Sequence, residues 1–419
     1  AINAAILKTG PMQVEIKLLF AYPAFLKILA YTACSVVEKA YVEANGGTQS
    51  LTRNEWMNRH EMGTGPYILK DWSPNNRILL QRWDNYWRGP AELQYVIIKK
   101  VQDLGTREML LFSGQADSIY VPIMFKDDVI GKPGVRTYLN LPMFSINFFG
   151  LNEHINNTNP SVPAGDVPSD FFNQTNVRRA FAYALNYTTL LDVIAQGTAI
   201  QPNGPIPEGM LGYNTTVPLF TFNLTKAAQY LQNTTDTRTG HTGSYADNGF
   251  NLVLYYNSGN LGRQAGCQLL KQGLETLSQN HAYGVTGKIT VTVSTLDWPT
   301  YLDARAKGWL PMFFLGWQVD YPDPDDFANP FCAIGGAFPI FIGLENATLD
   351  GIVKTAASTL NETVRAELYG QVAQSCYDNA YYIWTTQPTN FHVERTWVHG
   401  FAYNPTWADL PGLFYDLSK

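Results

Sequence analysis

A chain of 419 residues exceeds what one hydrophobic core usually supports, so at least two domains are expected. Charged residues make up only 15% and aromatic residues 13%, with 10 Trp and 24 Tyr, a balance that excludes a disordered chain. The net charge of -6, offset by no Lys/Arg cluster, argues against nucleic acid as a partner. No apolar run reaches the length of a membrane span, because the stretch 18–31 is interrupted by Pro23 and Lys27.

In chain order, residues 12–19 read as a strand and 23–44 as a helix pair. Tyr67, Leu69, Ile78, Leu80 and Trp83 alternate across two runs joined at Pro74-Asn75-Asn76, which is a hairpin with a polar turn. Gly63 and Gly65 suggest a nucleotide loop only superficially, since no third glycine follows and a strand stands where the phosphate motif needs a helix N-terminus. Residues 95–101, 106–113 and 118–121 read as strand, helix and strand, an order that argues for a mixed α/β lobe. Residues 144–151 are apolar on both faces and are expected to form a central strand. A loop at 152–174 precedes a helix predicted over 177–196, with Ala180, Phe181, Ala184, Leu185 and Leu191 on one stripe.

Residues 201–212, holding Pro202, Pro205 and Pro207, look like a crossing between lobes. Beyond them the reading alternates: strand 251–257, helix 263–278, strand 288–294, helix 299–307 and strand 311–316. Strands separated by single helices imply a largely parallel sheet, and such sheets bind ligands beyond the carboxyl ends of their strands. A return crossing is expected near 383–390. The expected domains are therefore a first lobe at 1–205, with 1–59 the end of an additional subdomain, a second lobe at 206–385, and a return to the first lobe at 386–419. Crossings in both directions form a hinge, and a hinge lets a cleft close around a ligand.

Just past the last of these strands stands GWQVDYPDPDD, residues 316–326. Each proline fixes φ and withholds a donor, so the turn is rigid and unwound and displays its first carboxylate, Asp320. Taken alone, the stretch also reads as an acidic surface turn. Catalysis fits it badly: glycosidases need two acids on opposite sides of a bond, about 5 to 9 Å apart, whereas Asp320, Asp323, Asp325 and Asp326 share one turn. His60-Glu61 lacks the second histidine of a zinc protease, no Gly-x-Ser-x-Gly elbow occurs, and a calcium loop would need Gly at its sixth position. No enzyme activity, metal site or cofactor is expected.

Read with GTGPY at 63–67 and VRRAFAYALN at 177–186, the turn resembles the extracellular solute-binding proteins of the peptide/nickel class, family 5, which feed ABC transporters. The stretches GTGPYILKDWSPNNRILLQRWDNYWRGP, LDVIAQGTAIQPNGPIPEGMLGYN and WVHGFAYNP resemble the family's strand pair, its crossing into the second lobe and its returning C-terminal strand. The resemblance implies an α/β fold of two lobes with hinge crossings, periplasmic-binding-protein-like of type II and similar to cluster C. It implies an extracellular substrate-binding component of an ABC importer that captures di- or oligopeptides in an interlobe cleft and delivers them to a membrane permease. Sugar-binding relatives keep much the same turn, so an oligosaccharide carrier is the alternative.

By the same resemblance, Asp320 pairs with a peptide ammonium through a charge-assisted bond. The main chain of Gly316, Trp317 and Gln318 takes the peptide as an added strand, and the Trp317 indole forms a wall. Arg263 stands roughly where a dipeptide-binding relative uses Arg for the ligand carboxylate, which a guanidinium grips bidentately; a solvent-exposed helical Arg is the other reading. Phe144, Tyr120, Gln387 and Trp298 are candidate contacts for which core packing is an equal alternative. The resemblance further implies a signal sequence and a large part of the first lobe ahead of Ala1, a membrane tether outside these residues, a monomer, and an extracellular, cell-surface or periplasmic location.

Asn-x-Ser/Thr acceptors stand at Asn156, Asn173, Asn186, Asn214, Asn223, Asn233, Asn346 and Asn361, about twice the number chance supplies, which favours a glycosylated surface protein. Asn186 falls inside a predicted helix. Cys34, Cys267, Cys332 and Cys376 lack zinc-site spacing. Free buried thiols and a disulfide both remain open, and Cys332 with Cys376 is the expected pair if one bridge forms.

Overall fold

Residues 5–48, 52–407 and 414–419 are described by the computed structural model. The chain divides into two units, one made of Ala1–Ile28 with Phe144–Pro388 and the other of Leu29–Met143 with Thr389–Lys419.

The first unit begins with an antiparallel hairpin of β1 (Ile6–Gly10) and β2 (Gln13–Ile16), and α1 (Phe25–Leu29) closes that stretch. The second unit follows with α2 (Lys39–Ala44) and an antiparallel sheet of β3 (Tyr67–Ser73), β4 (Arg77–Arg82) and β5 (Tyr95–Lys99). Asn75 takes φ +62° in the expected 74–76 turn, a conformation its short polar side chain tolerates. Helix α3 (Leu104–Phe112) starts where Asp103 accepts the N–H of Thr106 at 2.8 Å. The strand expected at 118–121 is reduced to a single antiparallel bridge from Ser118 to Glu394. Pro122, which has no N–H to extend a ladder, begins a 3-10 turn there, so the expected βαβ unit is absent. Strand β6 (Val135–Pro142) completes this part of the chain.

Strand β7 (Ser145–Leu151) returns the chain to the first unit. Its side chains alternate between two cores. Phe149 and Leu151 pack with α4 (Thr175–Ala184) and α5 (Leu224–Gln232), while Ile146 and Phe148 join the core on the opposite face. The helix predicted over 177–196 ends at Ala184: Leu185 turns extended at ψ 126°, the Asn186 carboxamide accepts from Thr189 N–H at 3.0 Å, and a π-helical turn spans Thr189–Ile194.

After β8 (Ala199–Ile200), the 201–212 stretch stays inside the first unit instead of crossing. Residues 202–207 are buried. A Cβ at Gly204 would lie 2.8 Å from Ala373 Cβ, and one at Gly212 would lie 2.5 Å from Tyr369 Cβ. Its prolines thus shape a packed run, not an open linker, and the boundaries fall at 143/144 and 388/389 where 205/206 and 385/386 were expected.

Beyond α6 (Tyr245–Asn248) come β9 (Phe250–Asn257), α7 (Leu261–Gln279), β10 (Ile289–Leu296), α8 (Trp298–Ala306) and β11 (Met312–Gln318), each within a few residues of its predicted span. Helices α9 (Asp325–Cys332), α10 (Pro339–Ile342), α11 (Ala347–Ser358) and α12 (Glu362–Asn379) lead into β12 (Tyr382–Arg395). In the first unit the sheet order is β10-β9-β11-β7-β12. Strands β9, β10 and β11 run parallel, and β7 is antiparallel to both β11 and β12. The part of β12 beyond Pro388 pairs with β6 in the second unit, around a small core of Leu111, Val121, Val129, Phe391 and Val393. The WVHGFAYNP stretch holds no strand, only a bridge from His399 to Ser418; the returning strand is β12 itself.

The Cys332 and Cys376 thiols meet as expected, Sγ to Sγ at 3.4 Å, but as two free thiols in contact. Both are buried.

Candidate ligand-binding site

Three parallel strands of the first unit end side by side, and the segment after each carries a residue singled out by the sequence. Helix α7 follows β9 and begins with Asn260 accepting the Arg263 N–H at 2.9 Å, which places Arg263 in its first turn. Helix α8 follows β10, opened by Asp297 as N-cap with Trp298 and Pro299 at its start. Strand β11 runs into the 316–326 turn.

One edge of β11 is open where it approaches the turn. Strand β9 pairs with β11 only through Met312 and Phe313, while β7 follows β11 on the other side as far as Gln318. Val319 N–H donates to the Phe144 carbonyl at 2.9 Å. Because antiparallel pairs alternate their hydrogen-bonding direction, Gly316 and Gln318 aim their N–H and C=O groups away from β7, toward the unpaired side. Phe314 faces the same way, and its carbonyl accepts from the buried Tyr301 hydroxyl at 2.7 Å. Gly316 is required here: a Cβ would stand 2.6 Å from Asn147 Oδ1 and 3.1 Å from Arg263 Nη2.

The Arg263 side chain therefore reaches the back of Gly316 and is not the solvent-exposed helical Arg of the other reading. Its Nη1 donates to Asn257 Oδ1 at 2.6 Å, its Nε is buried without a partner, and no carboxylate among the described residues pairs with it. Burial lowers its pKa.

The turn is an assembly of buried acids, not an acidic surface patch. Asp323, Asp325 and Asp326 are 0%, 2% and 3% exposed. The Arg365 guanidinium, from the first turn of α12, forks onto Asp323 with contacts of 3.0 and 2.5 Å, and Lys27 adds a third at 3.0 Å. Burial alone would raise the Asp323 pKa, but these cations hold it below the usual carboxylate range. Asp325 accepts from the hydroxyls of Tyr22 and Tyr321, and burial raises its pKa. Asp326 accepts the Asp320 N–H at 2.7 Å, and burial pushes its pKa up to about 8. Asp320 is left half-buried, its carboxylate without a hydrogen bond among the described residues. These supporting residues carried no signal in the sequence, because the partners lie 42 positions apart for Asp323 and Arg365 and 303 for Tyr22 and Asp325.

The remaining candidates divide. The Trp317 indole N–H donates to the Asp326 carbonyl at 2.7 Å and its ring meets Phe338 edge-on at 5.5 Å, so one face of this wall is already fixed. Trp298 is 47% exposed, its ring stacked on Tyr301. Phe144 is half-buried, and its carbonyl is engaged by Val319. Gln387 is buried with both ends of its amide on the main chain of Glu208, at 2.7 and 3.1 Å, so its reading as a ligand contact gives way to a structural one. Tyr120 belongs to the second unit, 68% exposed with Arg107 over its ring.

A strand edge with free main-chain groups, an unpaired carboxylate at one end and a counterion-free guanidinium beside it suit a ligand that is itself a short zwitterionic chain. A family model described as bacterial extracellular solute-binding proteins, family 5 Middle, matches residues 1–338. The chain belongs to that family. It is 24% identical over 389 residues to the probable D,D-dipeptide-binding periplasmic protein DdpA of Escherichia coli, covering 91% of this chain and 67% of that one. It is also 24% identical to the dipeptide-binding protein of the same organism, covering 91% and 65%. The chain thus spans about two thirds of the length of the curated relatives it matches. Among solved structures, the fold is shared with DppA of Helicobacter pylori in complex with the peptide STSA, at TM-score 0.78 and 20% identity over 98% of this chain and 73% of that one. It is also shared with AppA of Bacillus subtilis in complex with a nonapeptide, at TM-score 0.74 and 19% identity over 98% and 77%.

Proposed function

We propose that this protein is the extracellular substrate-binding component of an ABC importer, a carrier and not a catalyst, which takes di- or oligopeptides and passes them to a membrane permease. The observation that carries this reading is the open edge of β11 between Met312–Phe313 and the Asp320 turn. An extended peptide laid along it extends the sheet, with its main chain bonded to Gly316 and Gln318. Its ammonium meets Asp320, and its carboxylate meets Arg263. Each of these groups is costly to bury unless it finds such a partner. Trp298 and the free face of Trp317 receive side chains. The protein acts as a tethered monomer at the cell surface or in the periplasm. An oligosaccharide is the competing cargo, favoured by the exposed Trp298 ring.

The experiment is titration calorimetry of the Asp320→Ala and Asp320→Asn variants against a peptide mixture and an oligosaccharide panel. For a peptide, both substitutions leave a buried ammonium unpaired and are expected to cost about 2 to 5 kcal/mol of binding. For a sugar, Asn replaces Asp as hydroxyl acceptor at a cost of about 1 kcal/mol, and Trp317→Ala is the damaging change. Undiminished peptide affinity in Asp320→Asn sinks the peptide reading.

A further inference from the structure

All eight Asn-x-Ser/Thr acceptors fall between Phe144 and Pro388, in the first unit. The second unit holds nine asparagines, at 45, 54, 58, 75, 76, 85, 140, 390 and 404, and none heads an acceptor; the nearest approach, Asn404-Pro405-Thr406, is blocked by its proline. Acceptors spread by chance would follow asparagine into both units. The fold then sorts the eight. Asn156, Asn173, Asn233 and Asn361 are exposed, and Asn186, Asn214, Asn223 and Asn346 are half-buried.

Among the exposed four, the side-chain nitrogen is committed in two: Asn156 Nδ2 donates to the Lys307 carbonyl at 3.1 Å and Asn233 Nδ2 to the Gln229 carbonyl at 2.7 Å. It is free in the other two. Asn173 ends a 3-10 turn and makes no side-chain hydrogen bond among the described residues. Asn361 caps α12 through its oxygen, which accepts the Val364 N–H at 3.1 Å and leaves Nδ2 without a hydrogen bond among the described residues. Asn346 is the opposite case: its oxygen caps α11 at Leu349 N–H, 3.0 Å away, and its Nδ2 donates to the Tyr381 hydroxyl at 2.9 Å.

We propose that the first unit is an N-glycosylated surface, with Asn173 and Asn361 as its occupied acceptors and Asn346 closed by its own hydrogen bonds. The donor is a lipid-phosphate-linked oligosaccharide used by a transferase outside the cytoplasm. The amide Nδ2 forms the bond to the sugar C1, the C1–O bond to the lipid phosphate breaks, the lipid phosphate leaves with the bonding pair, and one amide proton is released. The glycan adds bulk and hydration to this surface.

The test is glycopeptide mass spectrometry on the protein purified from its own source. Glycan mass on the peptides holding Asn173 and Asn361, and none on that holding Asn346, is the expected result. A bare peptide at either open site, or a glycan at Asn346, overturns the proposal. Asn173→Gln and Thr363→Ala provide the control, the second removing the acceptor while retaining Asn361 as the cap of α12. Each is expected to lower the intact mass by one glycan with an unchanged melting temperature; an intact mass altered only by the substitution itself overturns the assignment of that site.

Discussion

Asp326 accepts the main-chain N–H of Asp320 at 2.7 Å, so a buried acid holds the backbone of the acid proposed above to meet the ligand. Burial raises the Asp326 pKa to about 8, and the nearby Asp320 charge adds to the rise. The unfolded side chain titrates near about 3.9. Between these values the folded protein keeps a proton that the unfolded chain has lost. The stability linked to this group is therefore complete below the unfolded pKa and is lost as pH rises through about 8. Asp326→Asn lacks this dependence. In urea titrations from about pH 4 to pH 8.5, wild type is expected to lose stability relative to the variant by up to about 1.4 kcal/mol per pH unit. Parallel pH profiles would refute the protonated state.

The Asp323–Arg365 pair is the covalently distant brace of the same turn. Removing either partner leaves a charge in a site that is almost fully buried. Asp323→Ala or Arg365→Met alone is expected to cost about 3 to 5 kcal/mol, and the double variant less than their sum. Chemical denaturation of the four proteins measures the coupling, and strict additivity would show that Lys27 alone keeps Asp323 paired.

Arg263 has the reverse profile. It is half-buried, its Nε has no partner and no carboxylate among the described residues pairs with it, so Arg263→Met is expected to leave stability unchanged or slightly raised. Peptide affinity is expected to fall by about 2 to 5 kcal/mol. C-terminally amidated peptides, which lack the carboxylate, should bind wild type and variant alike; a loss as large for them as for the free acids would count against the carboxylate-gripping role.

The Cys332 and Cys376 thiols, 3.4 Å apart, join α9 to α12. An extracellular location favours their oxidation. Denaturation without reductant, followed by alkylation and mass spectrometry, is expected to label two of the four cysteines, Cys34 and Cys267. Closing a loop of this length stabilises by about 4 kcal/mol in the chain-entropy picture, so reduction should lower the melting temperature. Labelling of all four would show that the pair stays reduced.

Much of the first unit was legible because local rules govern it. The alternation from β9 to β11 follows from strand and helix periodicity, and each predicted span holds within a few residues. The 144–151 run was readable as a central strand because both its faces are apolar, as its two cores require. The place of Asp320 in an unwound turn directly after β11 was legible because Pro322 and Pro324 keep the chain out of a helix there, while its half-buried setting was not.

Long-range pairing decided the rest. Prolines at 202, 205 and 207 mark irregular backbone equally in a linker and in a packed run, and only contact with Ala373 and Tyr369 distinguishes the two. The sequence by itself determined the α/β character, the family and the acid at the end of β11, since these rest on periodicity and short motifs. Only the tertiary structure decided that β11 keeps an open edge, that Arg263 turns inward to Gly316, and that three of the turn's four acids are buried braces. Those features depend on which strand stops short of its neighbour and on partners as distant as Tyr22 and Asp325, and no local pattern encodes a contact between residues 303 positions apart.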